Sequence, residues 1–382
     1  MTTGNAALRV EAIADAKGRK DWLQVPHMVY AGDPAWVAPL HFVENQRITP
    51  KTNPFFSFAD VQLFVAYRGD EPVGRISAQV NRRYLELYKD ATGHFGFFDC
   101  IDDDEATAAL VAAAGDWLKA RGMARMEGPF NFSINQECGL LISGFDTPPA
   151  IMMTHARPWM GPALEKTGLT KSMDMHAYRF NPANMPDRLQ RLAKMAQSSA
   201  DVSIREIDTS KFREEVRTLI DIFNDAWRDN WGFVSFSDAE IEAMIGEMKL
   251  FFRSNYGRFV LYKGKPAGVM VALPNINEIA ADFDGKLLPF NWAKLVWSLW
   301  RETAQTARVP LMGLRKEYQS SPLAAGMLAL LVSEFVGESK DYPMQWIEFS
   351  WVLDVNRPMK ALAELAAGPP VKTFRIYGKI LG

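Results

Sequence analysis

From Val61 onward the chain alternates between two hydrophobic rhythms. A period of two marks residues 61–67 and 72–80, joined by the turn Gly69-Asp70, and again residues 258–263 and 266–273, joined by Gly264-Lys265. Both pairs predict β-hairpins, because successive side chains of a strand point to opposite faces. A helical period marks residues 105–121 and 211–227, the second with Phe212, Val216, Leu219, Ile220 and Phe223 on one stripe. Residues 94–98 and 124–127 predict strands on either side of the first helix. A long loop, a helix over 159–167 and a strand over 172–180 complete this half.

The same order returns further on. A strand over 202–207 precedes the helix 211–227. A second helix runs to Phe251 and opens on Ser237, with Glu240 three residues on as a capping box. After the hairpin come a strand over 309–314 and a helix whose start is marked by Ser321 as N-cap and Pro322 at the first helical position. A strand over 346–353, a helix over 358–367 and a strand over 373–377 close the series. Repeated order implies an internal duplication of an α/β unit with mixed sheets. The break Asn181-Pro-Ala-Asn-Met-Pro186, a helix over 187–198 and the polar Ser198-Ser-Ala-Asp201 place the boundary near residue 195. Two domains, 1–195 and 196–382, are expected.

Composition narrows the classes. The chain has 382 residues, 48% hydrophobic and 23% charged, which is the balance of a folded protein. A formal net charge of -2 argues against a nucleic-acid partner. The two cysteines, Cys100 and Cys138, have neither disulfide nor metal-ligand spacing, so no metal is expected. The first residues lack a basic region followed by an apolar run, and no window reaches about 20 apolar residues. A cytoplasmic location is expected, with room for peripheral contact at the inner membrane. Oligomeric state is not legible.

Two stretches carry a resemblance. Lys263-Gly-Lys-Pro-Ala-Gly-Val269, with the later Asn356-Arg-Pro-Met-Lys-Ala-Leu-Ala-Glu-Leu365 and Phe374-Arg-Ile-Tyr-Gly-Lys379, resembles the core strands, last helix and last strand of the GNAT superfamily. The likeness is strongest over 202–382. It implies tandem GNAT-like domains using acyl-CoA as cosubstrate. In that superfamily the CoA pyrophosphate lies on backbone N–H groups where the helix after the fourth strand begins, a ready anion site. The corresponding residues are Gln319, Ser320, Ser321, Leu323, Ala324 and Ala325, and Asn356 falls where many members place an asparagine. Serines and alanines replace the usual glycines, and Pro322 removes one donor. In the first half the equivalent junction, Cys100-Ile-Asp-Asp-Asp-Glu105, is acidic and would repel a pyrophosphate, which implies a degenerate domain.

The second stretch, residues 127–149 (Glu127-Gly-Pro-Phe-Asn-Phe-Ser-Ile-Asn-Gln-Glu-Cys-Gly139 and onward), resembles a bacterial GNAT-like family that includes bacterial ceramide synthases. This implies transfer of a long acyl chain to the amine of a sphingoid base, sphinganine or 3-ketosphinganine, giving a ceramide. Two alternatives stay open: a GNAT acetyltransferase acting on a small polar amine, and a non-catalytic acyl-CoA-binding protein.

Amine acylation by a thioester needs an unprotonated amine, a donor for the oxyanion and a proton for the thiolate. The loop 127–149 sets a polar cluster in an apolar frame, as a substrate pocket requires. Glu137 is the expected base, with Asn135 orienting the amine and Glu127, Asn131 and Ser133 contacting substrate. His155, in a more open loop than the core-like His176, is a second expected base. Glu317 and Tyr318 end the strand before the pyrophosphate loop, and Tyr377 is another candidate acid. The segment 286–305 forms an amphipathic insertion. Its polar stripe is Lys294, Ser298, Arg301 and Gln305, and Trp292, Trp297 and Trp300 on the rest are expected to cover an acyl chain, pack as core, or meet a membrane. The eighteen methionines would suit an adaptable apolar pocket.

Overall fold

The computed structural model describes residues 6–249, 252–338 and 344–382. The chain divides into two units: Met1–Met175 with Ala280–Trp292 and Lys372–Gly382, and His176–Ile279 with Ala293–Val371.

In the first unit the strands Leu8–Ala12, Ala59–Arg68, Glu71–Asn81, Thr92–Cys100, Arg125–Gly128 and Lys372–Ile380 lie side by side in that order. The pair Thr92–Cys100 and Arg125–Gly128 is parallel and its neighbours antiparallel. Alternation along Glu71–Asn81 decides which helix covers which face. A Cβ on Gly74 would meet Leu110 of the helix Asp104–Lys119 at 2.7 Å. The next residue, Arg75, lies over the Trp22 ring of the helix Ala16–Val29 at 4.2 Å. The expected hairpin, strands and helices of this half are present within a few residues. The N-terminal strand and the two helices Ala16–Val29 and His41–Arg47 were not expected. Within the long loop, Phe130–Asn131 pairs with Glu137–Cys138, and Leu140–Ser143 joins the last strand.

The second unit repeats the order as Val202–Glu206, Gly257–Tyr262, Lys265–Pro274, Thr306–Leu314 and Trp346–Leu353, again with only the last pair parallel. Its hairpin turns at Lys263 and Gly264, one residue earlier than expected. Both take positive φ (50° and 76°), the conformation whose twist suits a two-residue hairpin loop and which Gly adopts without cost. Val269 and Val271 pack on one face with Phe212, Val216 and Leu219 of the helix Phe212–Trp227. Met270 and Ala272 pack on the other with Met327 and Leu331 of the helix Ala324–Glu338. Ser237 and Glu240 form the expected capping box. The expected end of that helix, Phe251, lies outside the described residues.

Candidate functional site

Both units carry a parallel strand pair that separates partway along, and they treat the gap differently. In the second unit, pairing of Thr306–Leu314 with Trp346–Leu353 ends at Val309 and Phe349, although both strands continue. The base of the gap is held by charges. Buried Arg308 donates from Nε to Ser350 Oγ at 2.9 Å and from Nη2 to Ser350 O at 2.9 Å. Ser350 Oγ donates to Glu348 Oε1 at 2.9 Å, and Arg179 Nε reaches Glu348 Oε2 at 3.2 Å. Glu348 is fully buried, and Ser350 and Arg179 each engage one of its two oxygens. Sequence reading missed this group. Its signal was Arg308 and Glu348, each a charge within a mostly apolar strand.

Above the gap the chain turns through residues 315–323 into the helix Ala324–Glu338. The helix begins later than Ser321 and Pro322 suggest. Ser321 instead accepts from Leu323 N at 3.2 Å through Oγ and from Ala324 N at 3.0 Å through its carbonyl. No chain partner receives the amides of Ala325 or Gly326 among the described residues, so the first turn keeps donors available. Gly326 has a packing reason as well: a Cβ there would stand 3.0 Å from Ala196 Cβ and Leu192 O of the helix Asp187–Gln197.

Several other expected residues of this unit are already engaged. Gln319 Nε2 donates to Leu314 O at 2.9 Å and to Ala226 O at 3.4 Å, which ties the turn to the helix Phe212–Trp227. Asp221 and Asp225, unforeseen, hold Arg315 Nη2 and Lys316 N. Ser320 and Glu317 are exposed. Tyr318 packs its ring 5.4 Å from that of Tyr262. Burial and a hydrogen bond with Glu317 raise its pKa, so the phenol keeps its proton at neutral pH. Asn356 caps the helix Arg357–Ala367, accepting from Met359 N at 3.3 Å. That is a structural role.

In the first unit, pairing of Thr92–Cys100 with Arg125–Gly128 ends at His94 and Glu127. Here the chain fills its own gap. Asn131 Oδ1 accepts from Phe97 N at 2.7 Å, and Phe130 O accepts from buried Gln79 Nε2 at 2.8 Å. A Cβ on Gly96 would sit 1.7 Å from Phe130 O, so only glycine allows this approach. Phe132 closes the plug against Phe55 and Phe97 at ring distances of 5.3 and 4.8 Å. The helix start beyond is closed too. Asp103 caps Asp104–Lys119 through Ala106 N at 3.0 Å and binds Arg68. Burial pushes the Asp103 pKa up, but the hydrogen bonds from Ala106 and Arg68 outweigh it and hold the carboxyl below its ordinary range.

The loop residues proposed for catalysis are knit together locally. Asn131 Nδ2 donates to Glu137 Oε2 at 3.0 Å, and Arg47 holds both Glu137 oxygens at 2.9 Å. Glu127 accepts from Arg125 at 2.7 Å and Ser172 at 2.9 Å. Ser133 Oγ accepts from Asn135 N at 3.2 Å. His155 is less open than its loop suggested: its side chain is 4% exposed, with Nε2 3.0 Å from Asp33 Oδ2. Burial lowers its pKa. Among the described residues no group of His, Cys, Asp and Glu could hold a metal ion. No helix there is long and apolar enough to cross a membrane.

Two units of one strand order, each with a parallel pair that parts before a helix N-terminus, define a tandem GNAT fold. A tandem GNAT protein from the clavulanic acid biosynthesis pathway aligns over 98% of this chain and 99% of its own, with a TM-score of 0.57 at 13% identity. A GCN5-related N-acetyltransferase from Sphaerobacter thermophilus aligns over 98% and 96%, with a TM-score of 0.52 at 11% identity. No family model matches the sequence. The chain is 41% identical over 383 residues, 99% of its length and 98% of the relative's, to the bacterial ceramide synthase of Caulobacter vibrioides (strain NA1000 / CB15N). It is 38% identical over 360 residues, 94% and 92% of the two lengths, to protein YghO of Escherichia coli (strain K12). This chain belongs to the bacterial ceramide synthase family and is an N-acyltransferase.

Proposed function

We propose that the second unit binds a long-chain acyl-CoA and that its acyl group passes to the amine of a sphingoid base, sphinganine or 3-ketosphinganine, to give a ceramide. The observation that carries the first part is the parted strand pair of the second unit, with available amides at Ala325 and Gly326 above it. Those donors suit a pyrophosphate, because a helix N-terminus favours negative charge. The edges of the two strands, unpaired with each other beyond Val309 and Phe349, suit the extended arm of the thioester. The name of the Caulobacter relative supports the sphingoid amine and the lipid product.

In the reaction the neutral amine attacks the thioester carbonyl, the C–N bond forms, the C–S bond breaks, the nitrogen gives up one proton and the departing thiolate takes one up. Tyr318, protonated and on the short helix Lys316–Gln319 beyond the strand Thr306–Leu314 and not on the strand itself, is the proposed donor to that thiolate. Glu317, hydrogen-bonded to it, positions the phenol. The bound state of Glu137 argues for recognition of a polar headgroup, with Arg47 and Asn131, in place of proton abstraction. His155, with Nδ1 buried and unpartnered while Asp33 orients Nε2, has the better free lone pair for a base.

The test is a chain-length series of acyl-CoAs offered with sphinganine or 3-ketosphinganine, read by mass spectrometry. Amide products rising with chain length are expected. Turnover with acetyl-CoA alone would overturn the lipid reading, and no turnover with any thioester would leave a binding protein.

A further inference from the structure

The helix Asn291–Arg301 is turned inside out. Its one fully buried side chain is the small polar Ser298, at 5% exposure, while Trp292, Val296, Trp297 and Trp300 stand 52%, 49%, 56% and 67% exposed. Trp292, Val296 and Trp300 are four residues apart and form one ridge, with Trp297 on the next, so they make a continuous apolar face and not scattered contacts. The residues leading into the helix extend it: Leu288 is 75% and Phe290 79% exposed.

An ordinary surface helix hides its tryptophans and shows its serines. This one does the reverse, and its solvent face has a cationic border. Lys294 and Arg301 are exposed on the flank of the tryptophan ridges. Arg301 lies over the Trp300 ring at 5.9 Å. Tryptophan places an apolar body and one N–H donor at the boundary between water and hydrocarbon, and lysine and arginine beside it meet anionic headgroups.

We infer that the segment around Asn291–Arg301 docks the enzyme on an anionic bilayer surface, with Leu288, Phe290, Trp292, Val296, Trp297 and Trp300 entering the headgroup boundary and Lys294 and Arg301 contacting its charges. A second copy of the chain fits less well. A two-fold interface would set each copy's face against itself and bring the Lys294 and Arg301 borders together. The inference stands apart from the acyl-transfer reading, since docking needs neither thioester nor amine.

The experiment is co-sedimentation of the full chain with vesicles of 7:3 phosphatidylcholine and phosphatidylglycerol, beside pure phosphatidylcholine, without substrates. Binding to the anionic vesicles is expected, weaker on the neutral ones and reduced by salt. The variant Trp292→Ser/Trp297→Ser/Trp300→Ser should lower the bound fraction about tenfold or more. Lys294→Glu/Arg301→Glu should lose the preference for anionic lipid. In the unaltered chain, brominated lipid should quench tryptophan fluorescence, and the serine variant should lose that quenching. Absence of vesicle binding would overturn the inference. So would a stable dimer that the serine variant dissociates while vesicles bind neither form.

Discussion

The two units place the same opening in the same strand pair and then diverge. In the first, Phe130, Asn131 and Phe132 fill it, and Asp103 with Arg68 closes the helix start beyond. In the second, buried charge braces only the base, and the helix start keeps donors. A duplicated fold thus keeps one gap open and fills the other. The difference lies in a few side chains and not in the backbone order. It also shows two ways of holding a parted sheet: close packing with backbone contacts in one unit, and a desolvated ion network in the other.

The comparison can be broken most strongly at that network. Glu348→Leu removes a fully buried acceptor from Ser350 and from the partly exposed Arg179 and should cost about 3 kcal/mol. Loss of hydrogen-exchange protection in Thr306–Leu314 and Trp346–Leu353, with the first unit's strands less affected, is the expected result. Equal loss in both units would mean the charges do not brace this gap in particular.

The filled gap has its own signature in acid. His94, the last residue of its strand to pair with Arg125–Gly128, is pushed down to about 4 by burial, against an ordinary value of 6.5. Below pH 6.5 the unfolded chain therefore binds a proton that the native chain refuses until about pH 4. Stability present above that window is lost as pH falls through it, at about 1.4 kcal/mol per unit and roughly 3 kcal/mol in all. Urea titrations between pH 7 and 4 should show the slope, and His94→Gln should flatten it.

Gly96→Ala tests the plug by geometry. Its methyl group would meet Phe130 O, and about 1–3 kcal/mol of stability should go as the Phe130–Asn131 segment shifts. An unchanged melting temperature would show that the plug yields freely.

The mildest change sharpens the contrast at the helix starts. Ser321→Asp gives the second unit an acid like Asp103 of the first. At a few ångströms from a pyrophosphate, through an effective dielectric near that of a protein surface, one added charge should weaken acyl-CoA binding by about tenfold. Calorimetry on the full chain reads it, and unaltered affinity would place the pyrophosphate elsewhere.

Much of the fold was legible because its signals are local. The hairpins show an alternating pattern, Ser237 and Glu240 cap their helix in sequence, and the acidic run at Asp102–Glu105 announced a poor anion site. What escaped depends on distant partners. Leu8–Ala12 is a strand because Ala59–Arg68 supplies its hydrogen bonds, and nothing nearby marks it. The helix Ala16–Val29 contains Pro26 and mixed polarity, so its stripe is weak in sequence. Among site residues, Asn131 and Glu137 do meet, but their partner Arg47 comes from an unforeseen helix. Ser321 and Asn356 were noticed for binding, while the structure uses both to satisfy backbone amides. Arg308 and Glu348 went unread because a charge inside a strand looks like its exposed face until the sheet is covered on both sides.

The strand Lys372–Ile380 pairs with Arg125–Gly128 and Leu140–Ser143, and buried Lys372 donates to Gly144 O and Thr147 O. The first unit is therefore finished by residues that leave the ribosome only after the whole of the second unit has been made. Until then Arg125–Gly128 lacks a neighbour on one side, and the nascent chain carries an open sheet edge through most of its synthesis. Such an edge invites the wrong strand, so a gene cut between the two halves should yield a first half prone to aggregate, rescued by supplying the missing strand as a peptide.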